Sequence, residues 1–260
     1  MAVEKVDDRD DDFERNVEAL SAPGLCITVE KFNERRRPWT VQAVVSDRHG
    51  PVWAVMHDDE DLSFDTAVHA LKTYGGTLIT VDTGGSRNQD GIDPNRAFSD
   101  DELSCPKLGE SAAPKFTAAL RKQFDKDQPI VALHSNVDGP VPTGGLGHVS
   151  MEAPPKGMKV TRSKVSDSEL ADDRTLVLLA ALDATDSAVK DRVADLSTAG
   201  VHVILESVSK EKADCSLSNY AVLTGHWAYY NLTVDHDGGE KQRGIIDVIM
   251  LNNVTVAASR

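Results

Sequence analysis

Positive charge is scarce in this sequence: its 260 residues include 28 lysines and arginines against 42 aspartates and glutamates, and the net charge is −14. Nucleic acids and anionic membranes attract proteins through a positive field, so this balance argues against either as a partner. Acidic composition mainly keeps a protein soluble. Any small basic pocket is therefore informative in this chain, because basic side chains are few.

Long apolar runs are also absent, since the sequence contains no apolar stretch of about 18 residues, the length that a membrane-spanning helix requires. Apolar residues nevertheless make up 40 % of the chain, which is enough for a sizeable core. The first 16 residues lack a basic start and an apolar stretch, so they do not match a signal peptide. A soluble protein is expected. The sequence leaves open whether a leader was removed, and it determines neither compartment nor oligomeric state.

Cysteine is the third scarcity. Cys26, Cys105 and Cys215 lie far apart and form neither a CxxC pair nor a zinc-finger spacing. An odd count excludes a complete disulfide framework and allows one bridge. The simpler interpretation is that all three are small buried or half-buried residues.

The remaining pattern predicts the organisation of the chain. Residues 1–20 are acidic and are predicted to be a flexible segment, and residues 21–260 are predicted to form one domain. Strands are expected at 25–29, 40–45, 52–57, 77–81, 129–134, 175–181, 201–205 and 227–234. Helices are expected at 63–74, 113–124, 187–198, 216–223 and 240–250, with a long irregular stretch at 135–173. This alternation is typical of a three-layer α/β/α fold with a mixed, mostly parallel central sheet.

Two of the predicted strands end in a histidine, His57 and His134. Ligands of such sheets bind beyond the carboxyl ends of the strands, so the two imidazoles are expected at one edge. Glu60 follows His57 by three residues, and a turn can bring both around one ion. A catalytic zinc takes three nitrogen or oxygen ligands from the protein and keeps one position open. The three residues are therefore predicted zinc ligands, and the alternative is a solvated acidic turn beside ordinary strand-end histidines.

Four motifs follow one another in an order that resembles the zinc carboxypeptidases of the carboxypeptidase A type. They are HDDE at 57–60, Arg87 in GGSRN, DPNRAF at 93–98 and HSN at 134–136. The resemblance covers residues 50–250 and is strongest in DPNR and in the HDDE and HSN pair. The segment from Glu60 to His134 is much shorter than in the digestive enzymes, so their large loops are absent. The resemblance implies a zinc-dependent hydrolase that cleaves an amide or peptide bond in a small peptide-like substrate with a free carboxylate.

The resemblance also implies roles for individual residues. Asn95 and Arg96 would hold the substrate carboxylate, which a guanidinium binds through two hydrogen bonds. Arg87 would stabilise the oxyanion of the tetrahedral intermediate. Considered alone, Arg96 would be expected in a surface ion pair with a nearby aspartate, such as Asp93, Asp100 or Asp101.

The sequence departs from the family at the general base, a glutamate on a late strand. The matching strand, WAYYNLTVD at 227–235, contains no glutamate. One register places Asp235 at the base position, and the other places Thr233 there, which cannot accept a proton near neutral pH. Asp235 is the preferred prediction. His236 and Glu240 are further candidates, although Glu240 better fits the first turn of the last helix.

Two other functions remain open at this point. A chain that has lost its base would be a catalytically inactive carboxypeptidase-like protein that binds zinc or another ligand. A chain without the metal would be an α/β interaction protein. The carboxylate that faces the zinc separates the first alternative from an enzyme, and the metal content of the purified protein tests the second.

Overall fold

The computed structural model describes residues 11–136, 149–226 and 228–258, which contain nine strands and seven α-helices. The strands are β1 (Leu25–Glu34), β2 (Arg37–Ser46), β3 (Val52–Val55), β4 (Thr77–Asp82), β5 (Ile130–Asn136), β6 (Lys159–Thr161), β7 (Leu176–Ala181), β8 (Val203–Ser207) and β9 (Tyr229–Asp235). The helices are α1 (Asp11–Arg15), α2 (Val17–Leu20), α3 (Asp61–Tyr74), α4 (Pro114–Arg121), α5 (Ser187–Thr198), α6 (Leu217–Leu223) and α7 (Gly239–Ala258).

All nine strands form one sheet in the order β1-β2-β4-β3-β5-β9-β7-β8-β6. The four central strands β4, β3, β5 and β9 are parallel to one another, and β7 is parallel to β8. The other four pairings, β1–β2, β2–β4, β7–β9 and β6–β8, are antiparallel. The predicted α/β fold with a mixed sheet is confirmed. Its parallel pairings make up half of the total and are concentrated at the centre, where the carboxyl ends of neighbouring strands meet.

Helices cover both faces of the sheet because the central strands carry apolar side chains on both sides. In β5, Val131 and Leu133 belong to the core shared with α3, α5 and α7. Ile130 and Ala132 belong to the core shared with α4 and α6. All four are fully buried, and burying an aliphatic side chain of the larger kinds contributes about 1.5–3 kcal/mol. The three-layer arrangement therefore follows from the apolar run PIVAL.

The element boundaries differ from the predicted ones by a few residues. β3 ends at Val55, so His57 lies in the following turn and not in the strand. α3 begins at Asp61 with Glu60 at its N-cap, two residues before the predicted start. It ends as predicted at Gly75, whose φ of 77° is accessible to a residue without a side chain. None of the helices in the described ranges is both long and apolar enough to cross a membrane.

The predicted flexible segment at residues 1–20 is not observed over residues 11–20. These residues form α1 and α2, and the side chains of Phe13 and Leu20 are buried in the core. The Phe13 ring lies 5.2 Å from the ring of Phe64 on α3. Burial of these apolar side chains outweighs the acidic composition on which the prediction rested. Residues 1–10 lie outside the described part of the chain.

The long stretch predicted as irregular contains a short edge strand, β6, which pairs with β8. The glycine-rich part at 137–148 lies outside the described residues. Cys105 and Cys215 form a disulfide with their Cα atoms 5.8 Å apart, while Cys26 is free and exposed. The bridge spans 110 residues, and a loop of this length gives a chain-entropy stabilisation of about 4–5 kcal/mol. It is the single bridge that three cysteines allow.

Candidate metal centre

The turn between β3 and α3 carries two of the three predicted metal ligands. The carbonyl of His57 accepts the Glu60 N–H at 3.3 Å, and the carbonyl of Glu60 accepts the Ser63 N–H at 2.8 Å as α3 begins. His134 lies near the carboxyl end of β5, the neighbour of β3 in the sheet. The topology therefore brings the three side chains to one edge of the sheet.

The three side chains meet at one point. Their ligand atoms all lie within 4.8 Å of one another. His57 Nδ1 lies 3.0 Å from Glu60 Oε1, and His134 Nδ1 lies 3.1 Å from Glu60 Oε2. The exposed fractions are only 2 % for His57, 3 % for Glu60 and 7 % for His134. Two ring nitrogens and a carboxylate in a water-poor pocket form a donor set that could hold one metal ion.

Asp93 fixes the orientation of one of these imidazoles. Its Oδ1 accepts a hydrogen bond from His57 Nε2 at 2.8 Å and another from the Asn95 N–H at 2.8 Å. A carboxylate on the far ring nitrogen holds the tautomer that leaves Nδ1 available to a metal. This support and the donor set both fit a bound metal ion. This role of Asp93 was not predicted from the sequence, although its position at the start of DPNR was a usable signal.

The charges around Glu60 set the protonation of the group. Burial by itself would raise the pKa of Glu60, but His134 and His57 lower it well below its usual value. Burial would lower the pKa of His57, but Glu60 and Asp93 outweigh burial and raise it to about 9. Because this pKa lies above the ordinary value of 6.5, the stability that charged His57 adds to the metal-free chain is complete below about pH 6.5. It is lost as the pH rises through about 9. A metal must displace this proton, so metal affinity increases over the same range.

We expect Asp93→Asn to weaken zinc binding about 10- to 100-fold, because the amide keeps the shape of the carboxylate but not its charge. Competition with a chelator at neutral pH measures this affinity. Asp237→Asn is the matched control, since Asp237 is exposed. The zinc affinity of this variant should equal that of the wild type. A change of less than about twofold in Asp93→Asn would show that His57 does not need this partner.

Arg87, in the loop after β4, donates to the carboxylate of Glu60. Its Nη1 donates to Glu60 Oε1 at 2.7 Å and lies 3.7 Å from Asp59 Oδ1. Glu60 therefore receives charged or polar donors on both of its oxygens. The predicted oxyanion role of Arg87 stays a prediction, but the structure does bring its guanidinium to the edge of the candidate metal centre.

A glycine turn positions Arg87. Gly84 and Gly85 have φ values of 73° and 74°, which residues with side chains rarely adopt. The buried Asp58 holds this turn, because its Oδ2 accepts the N–H groups of Thr83 and Gly85 at 2.8 and 2.7 Å. Asp58 thus links the His57–Glu60 turn to the Arg87 loop. This role of Asp58 was not predicted from the sequence.

Asn95 and Arg96 both lie against the start of α6. Arg96 forms an ion pair with Asp214, and none of the three aspartates nearer in sequence forms a salt bridge with it in the described residues. Asn95 is buried, and its Oδ1 accepts the Leu217 N–H at 3.4 Å. The ion pair of Arg96 was expected with a different partner, because Asp214 is 118 residues away. The carboxylate-binding role of both residues stays a prediction.

The pairing of β5 with β9 gives the positions of the two candidate base residues relative to His134. Thr233 lies opposite His134, and Asp235 lies opposite Asn136. Both share the sheet face of His134, and Asp235 is about 7 Å further along the strand. Asp235 Oδ1 lies 3.4 Å from Arg174 Nη1, and the aspartate side chain is 29 % exposed. Threonine therefore stands next to the candidate metal centre, and Asp235 supplies the carboxylate of this strand.

The two further base candidates lie just beyond β9. Glu240 is in the first turn of α7, its side chain is 91 % exposed, and it pairs with Arg243 at 3.0 Å. This matches the helix-start position that the sequence suggested for it. His236 directly follows β9 and is exposed. Asp235 is less exposed than either, so we keep it as the candidate base.

Comparison with known proteins addresses the fold. No protein-family model matches the sequence, and no curated protein matches it. The solved structures that resemble it include a "putative metallopeptidase" from Shewanella baltica OS155, with a TM-score of 0.53 and 12 % identity over 96 % of this chain and 92 % of that chain.

A second "putative metallopeptidase", from Shewanella denitrificans OS217, has a TM-score of 0.50 and 14 % identity over 93 % of this chain and 88 % of that chain. A metallo-carboxypeptidase from Pseudomonas aeruginosa has a TM-score of 0.49 and 11 % identity over 92 % of this chain and 67 % of that chain. Identities this low establish the fold alone. The fold of this chain is similar to that of these two Shewanella structures.

Proposed function

We propose that this chain is a zinc-dependent hydrolase that cleaves an amide bond next to a residue with a free carboxylate. The main support is the buried group of His57, Glu60 and His134, whose ligand atoms lie within 4.8 Å of one another. Three nitrogen and oxygen ligands with room for one more are the usual set for a catalytic zinc. The similarity in fold to metallopeptidases agrees with a metal-dependent hydrolase.

Each residue of the centre has a distinct task in this proposal. When bound, zinc supplies a Lewis acid that polarises the substrate carbonyl and activates water. His57, Glu60 and His134 would hold the ion, and Asp93 would keep His57 in the binding tautomer. Arg87 already reaches Glu60 at 2.7 Å. It would donate to the carbonyl oxygen as negative charge develops there, where a positioned cation is most effective.

Asp235 is the proposed general base. It lies on the same face of β9 as Thr233, the neighbour of His134, and its carboxylate would take a proton from the attacking water and pass it to the leaving amine. Threonine at position 233 cannot do this near neutral pH. Proton transfer by a positioned side chain contributes about 100- to 10,000-fold to the rate.

Arg96 and Asn95 would bind the carboxylate of the substrate. The Arg96 side chain is 21 % exposed and is paired with Asp214. A guanidinium has five N–H donors in a planar fork, so one edge can remain with Asp214 while another binds a second carboxylate. Asn95 lies next to Arg96 and would add an amide donor.

Hydrolysis of N-acetylated dipeptides tests this proposal. We expect the last residue to be released, the activity to stop on chelation and zinc to restore it. Amidation of the terminal carboxylate should lower kcat/KM about 100-fold, because the Arg96 guanidinium would lose its charged partner. Arg96→Met should lower kcat/KM for the free acid and remove the preference over the amide. Cleavage that survives chelation, or that treats acid and amide alike, would contradict the proposal.

One observation favours a second candidate, a catalytically inactive metal- or ligand-binding protein of the same fold. The residue opposite His134 in β9 is Thr233, and the carboxylate of Asp235 is already paired with Arg174. This candidate predicts bound zinc without hydrolysis of any dipeptide. Its proposed partner is a small peptide-like ligand with a free carboxylate, as for the enzyme.

A further inference from the structure

A trough of about 210 Å³ lies between α5 and the β6 edge of the sheet. The floor of the trough includes Leu205 of β8. In the sheet, β8 is three strands away from β5, the strand that carries His134. Three strand spacings amount to about 14 Å. The trough also belongs to the opposite face of the sheet, because Leu205 lies in the core of α3, α5 and α7. It is therefore separate from the candidate metal centre.

The floor of this trough is apolar. Leu205 of β8 is 4 % exposed, and Lys159 of β6 is paired with it in register, so their side chains share a face. Helix α5 contributes Val193, and Ala184 precedes that helix. Val193 and Lys190 are three residues apart and lie on one face of α5. The floor can therefore accept an apolar body of limited size.

The rim of the trough carries three lysines from three different segments. Lys159 is on β6, Lys164 follows that strand, and Lys190 is on α5, and all three line the trough and are exposed. Lys164 Nζ donates to Thr198 Oγ1 at 3.2 Å. No salt bridge between described residues includes any of the three ammonium groups. Three unpaired cations around one trough are unexpected in a chain with a net charge of −14.

Protection of a free sheet edge does not explain this arrangement. A lysine on an edge strand discourages pairing with another chain, which accounts for Lys159 but not for Lys164 or Lys190. Asp183 lies within the electrostatic range of Lys190 but forms no salt bridge with it in the part of the chain that the structure describes. The pKa of Asp183 is lowered by hydrogen bonds from Thr185 first and by Lys190 second, and both Thr185 donors bind the same oxygen, Oδ1.

We infer that this trough binds a compact organic anion, a carboxylate or phosphate attached to a small apolar body. An apolar cavity of about 150 Å³ accommodates benzene, so a trough of about 210 Å³ suits a ring or short chain with one anionic group. The ammonium groups act as point charges toward that group, and Leu205 and Val193 contact the apolar body.

Titration of phenyl phosphate into ¹⁵N-labelled protein, followed by NMR, tests this inference. We expect saturable shifts of the amides at 159–164 and 190–197. Phenyl phosphate should bind at least about fivefold tighter than inorganic phosphate, which lacks the apolar body, or benzyl alcohol, which lacks the charge. Phenylacetate provides the carboxylate arm and should bind the same residues. Added salt should weaken the binding of both anions, because the lysines are exposed.

Substitution of the rim lysines tests whether their charges bind the anion. Lys159→Gln and Lys190→Gln should each weaken phenyl phosphate binding about threefold, and the double variant about tenfold. Lys126→Gln, a change at an exposed lysine outside the trough, should leave it unchanged. Glu60→Gln should also leave it unchanged, which separates this site from the metal centre. Equal binding of benzyl alcohol, shifts confined to other residues, or an unchanged affinity in the double variant would each overturn the inference.

Discussion

Replacing Glu60 with glutamine should reduce the bound zinc from about one ion per chain to less than a tenth of that amount. Glu60 is the carboxylate of the three-residue ligand group, and its two oxygens face the two imidazole Nδ1 atoms at 3.0 and 3.1 Å. Glutamine keeps the size of the side chain but removes the negative charge that offsets the charge of the ion. Elemental analysis after incubation with zinc and dialysis measures the change directly.

His134→Ala should lower the zinc content to the same extent, because it removes a ligand on a different strand. His69→Ala is the matched control, since His69 is exposed on α3 and should keep one ion per chain. Thermal unfolding of all variants shows whether the fold is retained. A full complement of zinc in both Glu60→Gln and His134→Ala would place the metal elsewhere and remove the basis of the proposed function.

The convergence of His57, Glu60 and His134 could be predicted because the positions of these residues depend on short-range patterns. Each of the two histidines follows an apolar strand, and Glu60 is three residues from His57. A parallel sheet brings the carboxyl ends of neighbouring strands together independently of the conformation of the loops. Adjacent strands in the order β3-β5 then supply the remaining geometry.

The partners of these residues could not be predicted in the same way. Asp93 is 36 residues from His57, and Asp214 is 118 residues from Arg96. Both contacts depend on how irregular loops fold against each other, and neither loop has a periodic pattern. The prediction of a flexible N-terminal segment was wrong over residues 11–20 for a different reason. Two buried side chains, Phe13 and Leu20, determine the structure there, whereas the acidic composition describes only its exposed face.

The position of the general base is a further feature that the sequence pattern could not determine. Thr233 and Asp235 are two residues apart and lie on the same face of β9. A shift of one residue would have moved the apolar side chains to the other face, but a shift of two leaves the alternation intact. The hydrophobic pattern is therefore equally compatible with either register. Only the pairing of His134 with Thr233 in the structure distinguishes them.

That pairing makes Asp235→Asn the decisive variant for catalysis. We expect kcat for the dipeptide substrate to fall about 100-fold or more while the zinc content remains one ion per chain, because asparagine cannot accept the proton from water. Asp235→Glu should keep measurable activity, since it retains the carboxylate. Asp237→Asn, two residues further along and exposed, should match the wild type.

Thr233→Glu separates the remaining alternatives, because it places a carboxylate directly opposite His134. If Asp235 is the base, this substitution should lower the activity of the wild-type chain, since it adds a second negative charge beside Glu60. Absence of turnover in the wild type, together with its appearance in Thr233→Glu, would show that the natural chain lacks a base. The same fold and metal centre would then serve binding alone, because zinc ligands hold the ion but cannot replace a carboxylate that accepts the proton of water.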